Sequence, residues 1–266
     1  MRIVAHVVSC KGHGIKRNQE VVIAWLKERE IFKVLATTRL PAPPKAGGVE
    51  VIFPDSVAQV IQAQKHGRKG QKGNLVVEMD ALCREGGSDP RLLAFYEASV
   101  MLAFNLCMGS TEARKMVRKL ITYDALLKCL DNEALPMQLR SYFTSLMHHL
   151  YVEQAKVYYL SHSHNTQLLG EIDSSAGRLP GPLFDPDKEL GNFRSLKKAL
   201  IGFLSNCHGK EGFDLRPAIH QMILSACRLC NQLLRLGFFS ADEDIRNILL
   251  PPLFLLLTRE DRKSVV

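Results

Sequence analysis

The sequence predicts a mainly α-helical protein, an armadillo-like helical array (α-solenoid) with a small β-ribbon near residues 32–53. Apolar residues recur at three- and four-residue spacing along most of the chain, which is the pattern of amphipathic helices. Residues 124–152 contain two such patterns, separated by an acidic turn and a proline, and therefore predict a helical hairpin. Because a hairpin cannot bury its apolar stripe alone, it predicts packing against further helices.

Length and composition agree with a globular protein. The 266 residues are 46% hydrophobic and 23% charged, which is ordinary for a folded domain. The net charge of +8 favours acidic partners without selecting among proteins, lipid surfaces and nucleic acids. The seven cysteines are odd in number and lie mostly in apolar helical patterns, so we expect reduced thiols rather than a disulfide framework.

No segment of the sequence predicts a membrane span. The longest apolar run, residues 248–257, is about half of the ~20 residues that a spanning helix needs, and Pro251 and Pro252 interrupt it. The N-terminal apolar run lacks both the length and the cleavage site of a secretory signal.

The first half of the chain divides into two segments with different predicted secondary structure. Residues 1–31 predict a helical segment of the array, with Asn18 as the N-cap of its second helix. Residues 32–73 predict the β-ribbon, a helix at 55–64 and a basic, glycine-rich loop at 65–73.

From residue 74 onward the sequence predicts helices. Residues 74–160 form the predicted helical hairpin core: Asn74 caps a helix over 75–84, and Asp89 caps the next helix, with Pro90 in its first turn. A shorter basic helix at 111–120 precedes the hairpin. The remaining predictions are a flexible connector at 161–186 and C-terminal helices within 187–258. Two of these helices are predicted at 188–204 and 216–236, and an apolar segment at 241–257 follows them.

The two ends of the chain lack the polar caps that close a helical array. The first predicted helix begins at residue 2 without a preceding polar cap, and residues 253–257 are apolar. Since solenoids need polar terminal caps, these ends predict a piece of a longer array.

The hairpin has a specific internal pattern. Its first helix carries leucines at 126, 127 and 130, and Pro136 marks the point where that helix has ended. In the second helix we expect Leu139 to pack inward. We expect Arg140 to reach an acidic group or the exposed carbonyls at a helix C-terminus, where a cation is favourable.

The residue pattern of this hairpin resembles that of a known family. A polar turn is followed by Leu135 and Pro136, then by Leu139 and Arg140, and then by a helix carrying Phe143, Leu146 and Met147. This resembles the helical homology (RIH-type) domain shared by inositol trisphosphate receptors and ryanodine receptors. Residues 14–23 and 226–240 resemble further segments of the same domain in the same order. The second of these contains the turn Gly237, Phe238, Phe239.

The resemblance implies a cytosolic regulatory domain of a tetrameric intracellular calcium-release channel. Its role would be to couple ligand binding to pore gating at the cytosolic face of the endoplasmic reticulum or a related calcium store. Its partners would be the other domains and subunits of the channel. In the family, the trisphosphate lies in a basic cleft beside a β-trefoil, and this sequence shows no trefoil. Lys16 and Arg17, at a helix start, therefore remain weak anion candidates, and a solvated turn is the favoured interpretation.

The sequence shows no catalytic arrangement, so we predict that the protein is not an enzyme and has no cofactor. It has no P-loop and no nucleophile elbow, and its carboxylates are dispersed. Cys227 and Cys230 suggest zinc or redox chemistry, but the sequence has no second pair at a suitable spacing, and a helix core is favoured. An exposed pair is likewise favoured for His162 and His164, so no metal site is predicted.

Nucleic acid is not an expected partner. The basic residues of the 65–73 loop lack the interleaved aromatic side chains that stack on bases, which favours a solvated loop. The alternative function is a free armadillo-like scaffold that binds a peptide or RNA.

Overall fold

A computed structural model describes residues 1–10, 13–42, 48–66, 75–84, 86, 88–153, 186–209, 217–235 and 250–251. It gives the backbone alone for 61–66, 186–192 and 207–209. The chain forms two compact units, Met1–Tyr151 and Val152–Val266. As predicted, the described residues are mostly helical and include a small antiparallel sheet. None of the described helices is both long and apolar enough to cross a membrane.

The first unit begins with two helices joined by a β-hairpin whose strands are two residues long. Helix α1 is Arg2–Val7, strands β1 (Ser9–Cys10) and β2 (His13–Gly14) pair in antiparallel fashion, and helix α2 is Lys16–Glu28. Buried side chains of α1 and α2 join one core cluster. Its members from these two helices are Ala5, Ile23 and Leu26.

The prediction that Asn18 is the N-cap of the second helix is wrong. Helix α2 begins two residues earlier, at Lys16, with Ile15 as its N-cap. The backbone N–H of Ile15 donates to the Val8 carbonyl over 2.8 Å, which closes the strand hairpin and lets the helix start at once. The Asn18 amide instead donates to the Val7 carbonyl, over 2.7 Å, at the C-terminus of α1.

The predicted β-ribbon is present and has a third strand. Strands β3 (Thr37–Arg39), β4 (Glu50–Phe53) and β5 (Leu75–Glu78) form an antiparallel sheet in the order β3-β4-β5. The helix predicted over 75–84 is therefore wrong for its first half. The β-branched pair Val76 and Val77 aligns opposite β4, and only Met79–Cys83 is helical, as helix α4.

The first unit continues as helices, and the one that starts at Pro90 is the longest described in that unit. Helix α3, Asp55–His66, includes the first two residues of the predicted basic loop, and the rest of that loop lies outside the described residues. Asp89 caps helix α5, Pro90–Cys107, as predicted: its carboxylate accepts from the Arg91 N–H over 3.0 Å. The later helices are α6 (Thr111–Val117), α7 (Tyr123–Asp131), α8 (Met137–Met147) and a π-helical turn, His148–Val152.

Helix α5 organises the first unit because α1, α6 and α8 all pack against it. Ten of its residues are buried, among them Tyr96 and Leu102. The sheet joins this helical body through Thr38, whose backbone N–H donates to the Leu120 carbonyl over 2.8 Å. The Thr38 hydroxyl also lies 2.6 Å from the hydroxyl of Tyr96.

The second unit is described mainly by two helices that pack on each other. They are α9, Pro186–Gly209, and α10, Pro217–Arg235, which match the predicted helices at 188–204 and 216–236. Their buried leucines are Leu196, Leu200, Leu204, Leu229 and Leu233. The predicted connector up to residue 185 lies outside the described residues, as does nearly all of the segment at 241–257.

Candidate functional site

The hairpin junction between α7 and α8 has the geometry that the sequence predicts. Helix α7 ends with Asn132 as its C-cap, and Pro136 is the N-cap residue of α8. Between them the Asn132 side-chain oxygen accepts from the Ala134 N–H over 2.9 Å, which fixes the turn. Leu135 is buried at this junction, so the turn is anchored on its inner side.

Arg140 ties the two helices of the hairpin together. Its side chain is 4% exposed. Two of its guanidinium nitrogens donate to the Leu130 carbonyl, over 3.2 and 2.9 Å. Leu130 lies in the last turn of α7, where backbone carbonyls lack helical partners and the helix dipole favours a cation. The prediction that Arg140 reaches carbonyls at a helix C-terminus is confirmed.

The inner stripe of α8 belongs to the core. Leu139, Phe143, Leu146 and Met147 are all buried. The ring of Phe143 lies 6.4 Å from that of Tyr96, which in turn lies 6.4 Å from the ring of Phe53 in β4. A line of packed side chains therefore runs from the hairpin through α5 to the sheet.

A second set of contacts holds the end of α8. The Arg118 guanidinium, at the C-cap of α6, donates to the Leu150 carbonyl over 3.0 Å through Nε. It also lies 5.2 Å from the centre of the Tyr151 ring. That ring meets Tyr123 of α7 edge to face at 5.2 Å. Nothing in the sequence indicated this cluster, because it depends on the π-helical turn that brings Leu150 and Tyr151 under Arg118.

The two histidines at this turn lie close to each other. The ring centres of His148 and His149 are 4.9 Å apart, and His149 stacks on Phe104 of α5 at 5.8 Å. Both side chains are partly buried. His162 and His164 lie outside the described residues.

Lys16 lines an open cleft of about 640 Å³ in the first unit. One wall is the side of α2 that carries Lys16, Glu20 and Lys27, and the other is the segment from Met108 to Glu112. The side chains of Lys27 and Glu112 form an ion pair. The charged residues of the lining are two lysines and two glutamates, so the cleft has no net positive charge.

The cleft separates the two anion candidates. Lys16 lies in its lining, whereas Arg17 is exposed and is not part of that lining. The floor is fixed by Gln19, a buried side chain whose amide donates to the carbonyls of Asn105 and Met108 over 2.8 and 2.9 Å. Sequence reasoning missed this cleft.

The cysteines that the sequence singled out lie on one helix. Cys227 and Cys230 are both on α10. Cys230 is buried and Cys227 is partly buried. Burial raises the pKa of the Cys230 thiol to about 12 and that of Cys83, near β5, to about 11. Both thiols are therefore protonated at neutral pH, which disfavours nucleophilic attack by either of them.

The Gly237, Phe238 and Phe239 turn lies outside the described residues. A scan against models of known protein families finds no match to this chain.

Proposed function

We propose that the chain is a helical regulatory domain of an inositol trisphosphate receptor-like or ryanodine receptor-like calcium-release channel. The observation that carries this proposal is the ordered resemblance of residues 14–23, 124–152 and 226–240 to the homology domain of that family. In this proposal the helices form part of an armadillo-like array, and the domain lies at the cytosolic face of a calcium-store membrane. Ion conduction would be a property of the tetrameric assembly.

The geometry of the hairpin supports a mechanical role. Arg140 joins α8 to the end of α7, and Phe143 joins α8 to α5 through Tyr96. Densely packed helices of this kind move as bodies rather than deforming continuously. A displacement imposed on α5 would therefore be passed to the hairpin as a rigid movement, which is what coupling between a ligand site and a pore requires.

The experiment that tests the proposal isolates the native complex. The native protein, detected with an antibody raised against the chain, should co-fractionate with calcium-store membranes. The same antibody should precipitate a tetrameric membrane protein. That complex, reconstituted into vesicles, should release trapped calcium. Recovery of the chain only as a free 29.8 kDa protein, with no membrane partner, would contradict the proposal.

A free scaffold that binds an extended peptide is the second candidate, and the cleft favours it. Along α2 the cleft runs from Lys16 to Lys27, a rise of roughly 16 Å, enough for about five extended residues. A peptide library screened against the purified chain tests this candidate. The hits should compete with one another and lose affinity when Ala24, an exposed residue of the cleft wall, is replaced by arginine. Hits that are insensitive to this change would place peptide binding elsewhere.

A further inference from the structure

One exposed ridge of helix α2 has the composition of a binding surface. Arg17, Val21, Trp25 and Arg29 follow one another at four-residue spacing, which places them along one inclined row on the helix surface. Val21 is 66% exposed and Trp25 is 43% exposed. Both arginines are exposed as well. We call these four residues the α2 ridge.

The α2 ridge lies opposite the buried side of its helix. Ile23 and Leu26 on that buried side enter the core, so the ridge is not needed to hold α2 in place. Val7 of α1 is a further exposed apolar residue near α2: it is 50% exposed, and its carbonyl accepts from the Asn18 side-chain amide. Tryptophan and arginine are the residue types most enriched where protein interfaces concentrate their binding energy.

The charges at the two ends of the ridge have no ion-pair partner in the part of the chain that the structure describes. Among the described residues, Arg17 and Arg29 form no ion pair, whereas Arg2, Lys27 and Lys33 each pair with a glutamate. Arg29 is flanked in sequence by Glu28 and Glu30, and Glu30 already pairs with Lys33. The row itself contains two arginines and no carboxylate.

We propose that the α2 ridge docks an acidic amphipathic helix of a partner protein. The row of residues fits the groove between two rows of a second helix, with Val21 and Trp25 inserted between apolar side chains. Arg17 and Arg29 are separated by a rise of about 18 Å, so they pair with two carboxylates at the same separation on the partner. This surface is distinct from the cleft, and the inference does not depend on the channel proposal.

The test uses a property of the full chain: Trp25 is its single tryptophan. Fluorescence therefore reports on the ridge without labelling. The probe is an 18-residue designed helix with a leucine stripe flanked at each end by glutamate, and its matched control replaces those glutamates with lysines. The glutamate helix should shift Trp25 emission to shorter wavelength and protect it from acrylamide, whereas the lysine helix should do neither.

Charge reversal gives the sharper result. The double variant Arg17→Glu, Arg29→Glu should lose about two- to thirtyfold in affinity for the glutamate helix and should now prefer the lysine helix. The control, Arg84→Glu with Lys119→Glu, changes net charge equally at exposed positions outside the ridge and should keep the original preference. Circular dichroism should confirm that both variants fold.

Three results would each overturn the proposal. Trp25 emission could be unaffected by the glutamate helix, or it could respond equally to both helices, which would mean unspecific adhesion. It could also respond only to vesicles of phosphatidylserine, which would make the ridge a membrane-surface contact.

Discussion

Two neighbouring residues of helix α8 are both buried, but they differ in whether their polar groups are hydrogen-bonded. The charge of Arg140 is satisfied, because its guanidinium donates to the Leu130 carbonyl. The hydroxyl of Ser141, which is fully buried, has no hydrogen-bond partner among the described residues. A buried polar group without a partner loses its hydration and gains nothing in return, so Ser141 is a local cost to stability.

Replacing Ser141 with alanine should therefore stabilise the protein by about 1 kcal/mol, because it removes an unsatisfied hydroxyl. The matched control is Thr144→Val, one turn later on the same helix. The Thr144 hydroxyl donates to the Arg140 carbonyl over 2.8 Å, so that variant should lose about 1 kcal/mol. Chemical denaturation of both variants measures the difference, and a loss of stability in Ser141→Ala would show that its hydroxyl is satisfied.

Secondary-structure elements with a strong local signal were predicted well. Pro136 and the Asp89–Pro90 pair act through their own backbone geometry, so the α7–α8 junction and the start of α5 follow from the sequence. Strand β5 was missed because Leu75–Glu78 becomes a strand by pairing with β4, over 20 residues earlier. The start of α2 was misplaced because the β1–β2 hairpin, rather than a capping side chain, determines it.

The hairpin should depend strongly on Arg140. Arg140→Ala leaves the Leu130 carbonyl without this donor in a buried setting, and we expect a loss of about 3 kcal/mol. Arg84→Ala, at an exposed arginine, should change stability by no more than about 0.5 kcal/mol. Thermal melts followed by circular dichroism compare the two. Equal melting temperatures would mean that Arg140 does not hold α7 to α8.

Two glycines give substitutions of opposite sign. A methyl group at Gly14, in β2, would clash with the Met108 carbonyl oxygen and the Gln19 amide nitrogen. Gly14→Ala should therefore cost about 1–3 kcal/mol and disturb the cleft floor. At Gly202, within α9, the added methyl group meets no atom within 4 Å, so Gly202→Ala should stabilise the helix by up to about 1 kcal/mol. Denaturation curves of both variants measure these changes in the free energy of unfolding. If Gly14→Ala left that free energy unchanged, the floor of the cleft would be loosely packed.

At the scale of the whole molecule, the sequence predicted helices but not the surfaces they create. The cleft joins residues 14–27 to residues 108–112, and no local pattern predicts that these segments meet. The α2 ridge could have been found, since its four-residue spacing is visible in the sequence, but its exposure depends on which side of α2 faces the core. The hairpin junction was predictable because both helices and their turn are contiguous.

The cleft should not bind inositol trisphosphate with micromolar affinity. Lys16 and Lys27 are accompanied there by Glu20 and Glu112, so the site offers a polyanion no net attraction, and Arg17 is not part of its lining. Calorimetry with the full chain at physiological salt should show no saturable isotherm. A stoichiometric micromolar isotherm that disappears in a Lys16→Ala, Arg17→Ala variant would place part of a ligand site here.

The Thr38 amide bond to Leu120 has a consequence for the dynamics of the molecule. Strand β3 is three residues long, and a strand of that length would ordinarily exchange its amide hydrogens quickly. The Thr38 amide, however, is bonded to a residue 82 positions later, and its side chain is 3% exposed. The Thr38 amide proton should therefore exchange with deuterium only when the helices around Leu120 unfold. Its exchange rate would report on the unfolding of the first unit, although β3 itself is very short.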